Sequence, residues 1–174
     1  MTLFHSYKTY KKKPQEILEI FLQPGEFYWG DAETRIRTIL GSCVAVTIWH
    51  PRKRVGGMCH IMLPSRVQKQ KIVPSAWEYS GRYADEALAL MMQELSRFKI
   101  QSADCQVKVF GGSNMFSHLR LKNSHQIGDR NLEAVLQLLS GYGFTVHANH
   151  YGGNEARYVV FDVWSGDVWM RSGN

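Results

Sequence analysis

The chain has 174 residues, 44% of them apolar and 12% aromatic, and a formal net charge of +6. That length predicts one domain, and the apolar share is enough to bury a core, which excludes a disordered chain. The longest apolar runs, such as "CVAVTIW", are too short to cross a bilayer, and the N-terminus lacks the apolar stretch of a secretory signal, so a cytoplasmic protein without membrane insertion is expected.

The first element in chain order is a basic, flexible arm over 1–15. Lys8, Lys11, Lys12 and Lys13 precede the first acid, Glu16, and without them 17 basic residues face 15 acidic ones. The excess charge therefore belongs to a tail and not to a folded basic face. No RRM, KH or zinc-finger pattern accompanies it, so no nucleic-acid partner is expected. A single compact domain is predicted over 16–174.

Within that domain "EILEIFL" reads as a strand over 16–22, followed by a turn at Pro24-Gly25. "AETRIRTIL" alternates polar and apolar in its second half, as a half-exposed strand does. "CVAVTIW" is a nearly all-apolar central strand; "HPRKR" turns the chain and "VGGMCHIML" runs back, a hairpin over about 43–63. From Ser80 the period changes, with Ala84, Ala87, Leu88, Met91, Leu95 and Phe98 recurring at helical spacing. "CQVKVF" is a strand, and 129–140 is a second helix burying Leu132, Val135, Leu136 and Leu139 and stopped by Gly141. "FTVHANH" is a strand, and 156–171 folds as a terminal hairpin about Ser165-Gly166. The helices are not regularly interleaved with strands. The pattern predicts an α+β fold, with mixed or antiparallel β-sheets and two main helices packed on them.

Three cysteines, an odd number, exclude a disulfide framework and leave each to be read by its surroundings. Cys105 opens an apolar strand and reads as packing. Cys59 and His60 are strand neighbours, which point to opposite faces, so Cys59 also reads as packing. Cys43 differs. Gly41 and Ser42 stand directly before it, and Gly41 lets a substrate come close. With the hairpin turn near Pro51-Arg52, His60 falls opposite Cys43, or one diagonal away if the turn shifts.

An imidazole beside a thiol can take its proton, giving a thiolate–imidazolium pair that attacks a carbonyl; N–H groups at the Ser42-Cys43 bend would stabilise the oxyanion. On spacing alone, two packed side chains remain an open alternative. A metal site drawing on Cys43, His60 and His147 or His150 lacks CxxC or HxxxH spacing, and neither a P-loop nor a GxGxxG is present. No metal and no cofactor are expected. "FGGSNMF" reads as a tight turn with Asn114 in a capping or turn role. Glu155 and Arg157 read as a solvated rim, and His50, His118, His125, His147 and His150 as surface or hydrogen-bonded histidines.

In this order, "TILGSCVAVTIWHP", "GGMCHIMLP", "YADEALALMMQEL", "KVFGGSNMF", "IGDRNLEAVLQLL" and "GGNEARYVVFDVWSGDVW" resemble the CheD family of chemoreceptor glutamine deamidases, over roughly residues 16–171. The resemblance implies that Cys43 is the nucleophile and His60 the catalytic histidine. A threonine just upstream of Gly-Ser-Cys completes the family's set, and Thr38 is the nearest match. One residue along a strand reverses the face, so Ser42 or a backbone carbonyl stands as a substitute orienter of the imidazole. The implied reaction converts a protein glutamine side chain to glutamate and ammonia, on the cytoplasmic domains of methyl-accepting chemotaxis receptors. Some relatives also bind a CheC-type phosphatase. The alternative reading is a non-catalytic adaptor that associates with receptors or with such a phosphatase.

Overall fold

Strands and helices fall where the hydrophobic period changes. The computed structural model describes residues 1–4, 12–66, 79–115 and 127–173. In chain order the elements are β1 (Thr2–Phe4), β2 (Leu18–Phe21), β3 (Phe27–Gly30), β4 (Thr34–Leu40), β5 (Val44–His50), β6 (Val55–Ile61), α1 (Ala84–Arg97), β7 (Gln106–Gly111), α2 (Ile127–Gly141), β8 (Val146–Tyr151), β9 (Arg157–Asp162) and β10 (Asp167–Ser172). They build two five-stranded sheets. The outer sheet runs β1-β10-β9-β4-β2 and the inner sheet β3-β6-β5-β7-β8. Each holds one parallel pair, β2 with β4 and β7 with β8, among antiparallel neighbours. The fold is a single α+β domain.

Burial explains the patterns. One face of the inner sheet sets Val44, Val46, Ile48, Val107 and Val109 against Leu88, Met91, Val135 and Leu139 of the helices. Its other face sets Ala45, Trp49, Met58 and Phe110 against Ile36, Leu40, Val159 and Phe161 of the outer sheet. Strands β5 and β6 are therefore covered on both sides and buried along their whole length, which is why "CVAVTIW" reads as a continuous apolar run and not as an alternation. Strand β4 keeps the alternation, with Thr34, Ile36, Thr38 and Leu40 turned inward.

Two elements differ from the sequence reading. Residues 2–4, placed there in the flexible arm, form β1 and pair antiparallel with β10. Lys108 anchors this strand from the inner sheet. Although buried, its Nζ donates to Phe4 O at 2.6 Å and Gly166 O at 2.8 Å. The second is β3, whose "FYWG" offers no alternation because all four residues are half-buried; it pairs with β6, and Trp29 stacks on Phe98. Lys8, Lys11, Tyr7, Tyr10, His118 and His125 lie outside the described residues.

Candidate active site

The link between β4 and β5 carries the chain from the outer sheet to the inner one. Gly41 and Ser42 make that crossing, which explains a small, bendable pair directly before Cys43. The crossing is pinned from β7 and the loop after it. The Ser113 N–H donates to Gly41 O at 2.9 Å, and the Gly112 N–H to Cys43 O at 2.8 Å. Gly111 holds φ +104°, and a Cβ there would collide with the Cys43 carbonyl, so only glycine admits this approach.

The hairpin register places His60. Pairs His50–Val55 and Ala45–His60 put the turn over residues 51–54, with Arg54 at φ 50°. The turn centre thus lies one residue beyond Pro51-Arg52. His60 faces Ala45, and Cys43 stands one diagonal away on the same side of the sheet, a spacing of about 7–8 Å between backbones that long side chains span. Cys43 packs at the edge of the inter-sheet core that holds Ala45, and Cys59 belongs to the opposite, helix-facing core. The backbone of His60 is fixed by the turn before β3. Its N–H donates to Glu26 O at 2.9 Å, and its carbonyl accepts from Gly25 N–H at 2.8 Å.

Thr38 reaches the imidazole from the other sheet. Its Oγ1 lies 2.7 Å from His60 Nδ1 and donates to Leu22 O at 3.0 Å. A hydroxyl has one proton, and Leu22 O takes it; Thr38 Oγ1 must then accept from Nδ1–H. That arrangement leaves the lone pair of a neutral imidazole on Nε2. Leu22 is a partner that residue type could not announce, since only its carbonyl acts.

Burial sets the resting charge. It pushes the Cys43 thiol up, and it pushes His60 down to about 4 against a smaller upward pull from its link to Leu22 and from Glu26. Burial thus opposes the resting thiolate–imidazolium pair that spacing suggested, because it disfavours the charged form of both groups.

The other candidates separate cleanly. Cys59 is fully buried, with its thiol pushed up to about 12 by loss of water, and Cys105, 3% exposed, is likewise pushed to about 12. His147 Nδ1 accepts from the Val107 N–H and His50 Nδ1 from the Lys53 N–H. Among the described residues no three His, Cys, Asp or Glu side chains come together as a metal site. The Asn114 N–H donates to Gly153 O at 2.7 Å, joining the "GGSN" loop to the "GGNE" loop.

Arg157 corrects the reading of a solvated rim. It is buried, and its guanidinium bonds Ser113 Oγ, His150 Nδ1 at 2.8 Å, Gly152 O at 2.6 Å and Glu155 O at 3.3 Å. A cation with so many neutral acceptors is a brace for both loops. The sequence reading also missed Asn131. Its signal was available: position 131 lies on the buried stripe of α2 with Gly128, Val135 and Leu139, where a polar residue is unexpected.

Among known proteins, the family model described as CheD chemotactic sensory transduction matches residues 62–172. The chain is 49% identical to "Probable chemoreceptor glutamine deamidase CheD 2" of Albidiferax ferrireducens over 160 residues, covering 91% of this chain and 88% of that protein. It is 45% identical over 157 residues to "Probable chemoreceptor glutamine deamidase CheD 3" of Dechloromonas aromatica, covering 90% and 89%. To the protein named "Probable chemoreceptor glutamine deamidase CheD" of Pseudomonas fluorescens it is 41% identical, covering 92% and 88%. The family match begins just beyond His60. A match covering nine-tenths of a 174-residue chain, wherever it begins, includes Thr38, Cys43 and His60.

Proposed function

The chain belongs to the CheD family, and from that membership we propose that it is an enzyme that deamidates glutamine side chains of chemoreceptors, with Cys43 as nucleophile, His60 as general base and acid, and Thr38 as the group that orients His60. The observation that carries the reading is the Thr38 hydroxyl held between Leu22 O and His60 Nδ1. A buried histidine needs one partner to be satisfied; this one is fixed in the tautomer that offers its second nitrogen as a base.

The chemistry follows from a neutral pair. The Cys43 sulfur attacks the side-chain carbonyl carbon of glutamine as Nε2 of His60 takes the thiol proton. The carbonyl oxygen becomes an oxyanion, and the Cys43 N–H, which meets no acceptor among the described residues, is the donor this reading assigns to it. The tetrahedral adduct expels ammonia, which leaves with the proton returned by His60, and a thioester remains. His60 then removes a proton from water, the hydroxide adds to the thioester, and glutamate departs with regeneration of the Cys43 thiol. The imidazolium exists only in transit, helped by Glu26 and by the chain through Thr38 to Leu22 O. No step calls on a metal or cofactor.

On this reading the substrates are cytoplasmic domains of methyl-accepting receptors, the site of action is the cytoplasm, and a CheC-type phosphatase is a further partner. Incubating the protein with receptor cytoplasmic fragments and reading the mass tests it: each converted glutamine gains about one dalton as an amide becomes an acid. The gain is expected with the wild type and absent with Cys43→Ala. An unchanged receptor, or an equal gain with Cys43→Ala, overturns the assignment.

A further inference from the structure

Helix α2 reaches the Cys43 link through one side chain. Asn131 is fully buried, 0% exposed, and its Nδ2 donates to Met62 O at 2.8 Å and to Ser42 O at 3.2 Å. Met62 follows β6 two residues after His60, and Ser42 O belongs to the peptide whose N–H is that of Cys43. One amide therefore ties together the two backbone segments that carry the reacting groups. The helix can come this close because Gly128, at its start, packs against the backbone of Gly112 and Ser113 with no room for a Cβ.

The other end of the amide is left unpaired. Asn131 Oδ1 is buried and meets no donor among the described residues. A buried acceptor without a partner is costly, and leucine at this place on the stripe would avoid that cost. The amide earns its place through its two donor bonds.

Direction gives those bonds a role. The described residues hold no cis peptide, so in the Ser42–Cys43 peptide the C=O and N–H point opposite ways. Drawing Ser42 O toward α2, on the helix side of the inner sheet, turns the Cys43 N–H away from it. The Cys43 side chain packs on the inter-sheet side, where His60 and Thr38 meet. We propose that Asn131 is a positioning residue: by holding Ser42 O and Met62 O, it aims the Cys43 N–H at the carbonyl oxygen that becomes charged when Cys43 attacks. The inference rests on Cys43 being the nucleophile of the deamidase reading.

The test uses two electrophiles on the full chain and needs no glutamine substrate. Acylation by p-nitrophenyl acetate passes through an oxyanion, whereas alkylation by iodoacetamide displaces iodide at a saturated carbon and forms none. Both are followed at Cys43, with Cys43→Ala as the blank. In Asn131→Leu the ratio of acylation to alkylation rate is expected to fall about a hundredfold, as for loss of one oxyanion donor. A merely structural role would move both rates together and leave the ratio unchanged. If Asn131→Leu does not fold, Asn131→Ala, smaller and equally without donors, is read in the same way, and the same fall is expected. A ratio within about threefold of wild type in a folded variant overturns the proposal, as does a wild type without a Cys43-dependent burst of nitrophenol. Failure to convert receptor glutamines, with the ratio still falling in the variant, would sink the deamidase reading and leave this one standing.

Discussion

The Thr38 hydroxyl accepts from His60 Nδ1 at 2.7 Å while giving its own proton to the Leu22 carbonyl at 3.0 Å. The two residues come from different sheets, Thr38 from β4 and His60 from β6. The imidazole is thus held by the packing of one sheet on the other.

Thr38→Val keeps the shape and removes the hydroxyl. The ring loses its anchor, and deamidation is expected to slow about tenfold to a hundredfold, the scale of a small misplacement of a reacting group. Leu22 O is left without this partner, at a cost of about 1–3 kcal/mol read from denaturant unfolding. Thr38→Ser restores both. Full activity in a folded Thr38→Val would show that His60 needs no such anchor.

A His60 held to about 4 predicts an unusual acid limb. The base must be unprotonated, so kcat/KM should stay high as pH falls below the ordinary histidine value of about 6.5 and decline only toward pH 4. Stability moves the other way over the same window. The unfolded chain binds a proton at His60 below about pH 6.5 and the folded chain only near 4, so stability is lost as pH falls across that interval, by about 3 kcal/mol. His60→Gln should flatten this part of the stability profile. An acid limb near 6.5 would contradict the neutral pair.

Alkylation by iodoacetamide separates the cysteines. Cys43 is partly exposed and its thiol is raised by burial, so labelling of the native protein should go to Cys43 and climb with pH beyond the ordinary thiol value of about 8.5. Cys59 and Cys105 should label only on unfolding. Rapid labelling of Cys43 at pH 6 would mean a resting thiolate. Cys59→Ala and Cys105→Ala should retain deamidation.

Arg157→Met removes the brace of the two glycine loops and strips the buried acceptors around it. A loss of about 2–4 kcal/mol is expected, with slower deamidation because Ser113 in turn holds the Gly41 carbonyl. Arg52→Met is the control. Its contact with Asp104 is 3.8 Å between exposed side chains and should cost at most about 0.5 kcal/mol. Equal losses would deny the brace its role.

Most of the strands, both helices and the side on which each residue of the β5–β6 hairpin lies were legible in the chain, because period and turn chemistry are local. Parity alone separated His60 from Cys59 and set His60 on the side of Cys43. "FYWG" and residues 2–4 escaped because a strand half-buried on both faces, or only three residues long, shows no alternation. Packing supplied the rest: which threonine meets the imidazole, that a leucine carbonyl fixes its tautomer, and that Arg157 and Asn131 are buried. Those outcomes depend on how two sheets and a helix stack, and on the water excluded between them, and neither is written in any short window of the chain.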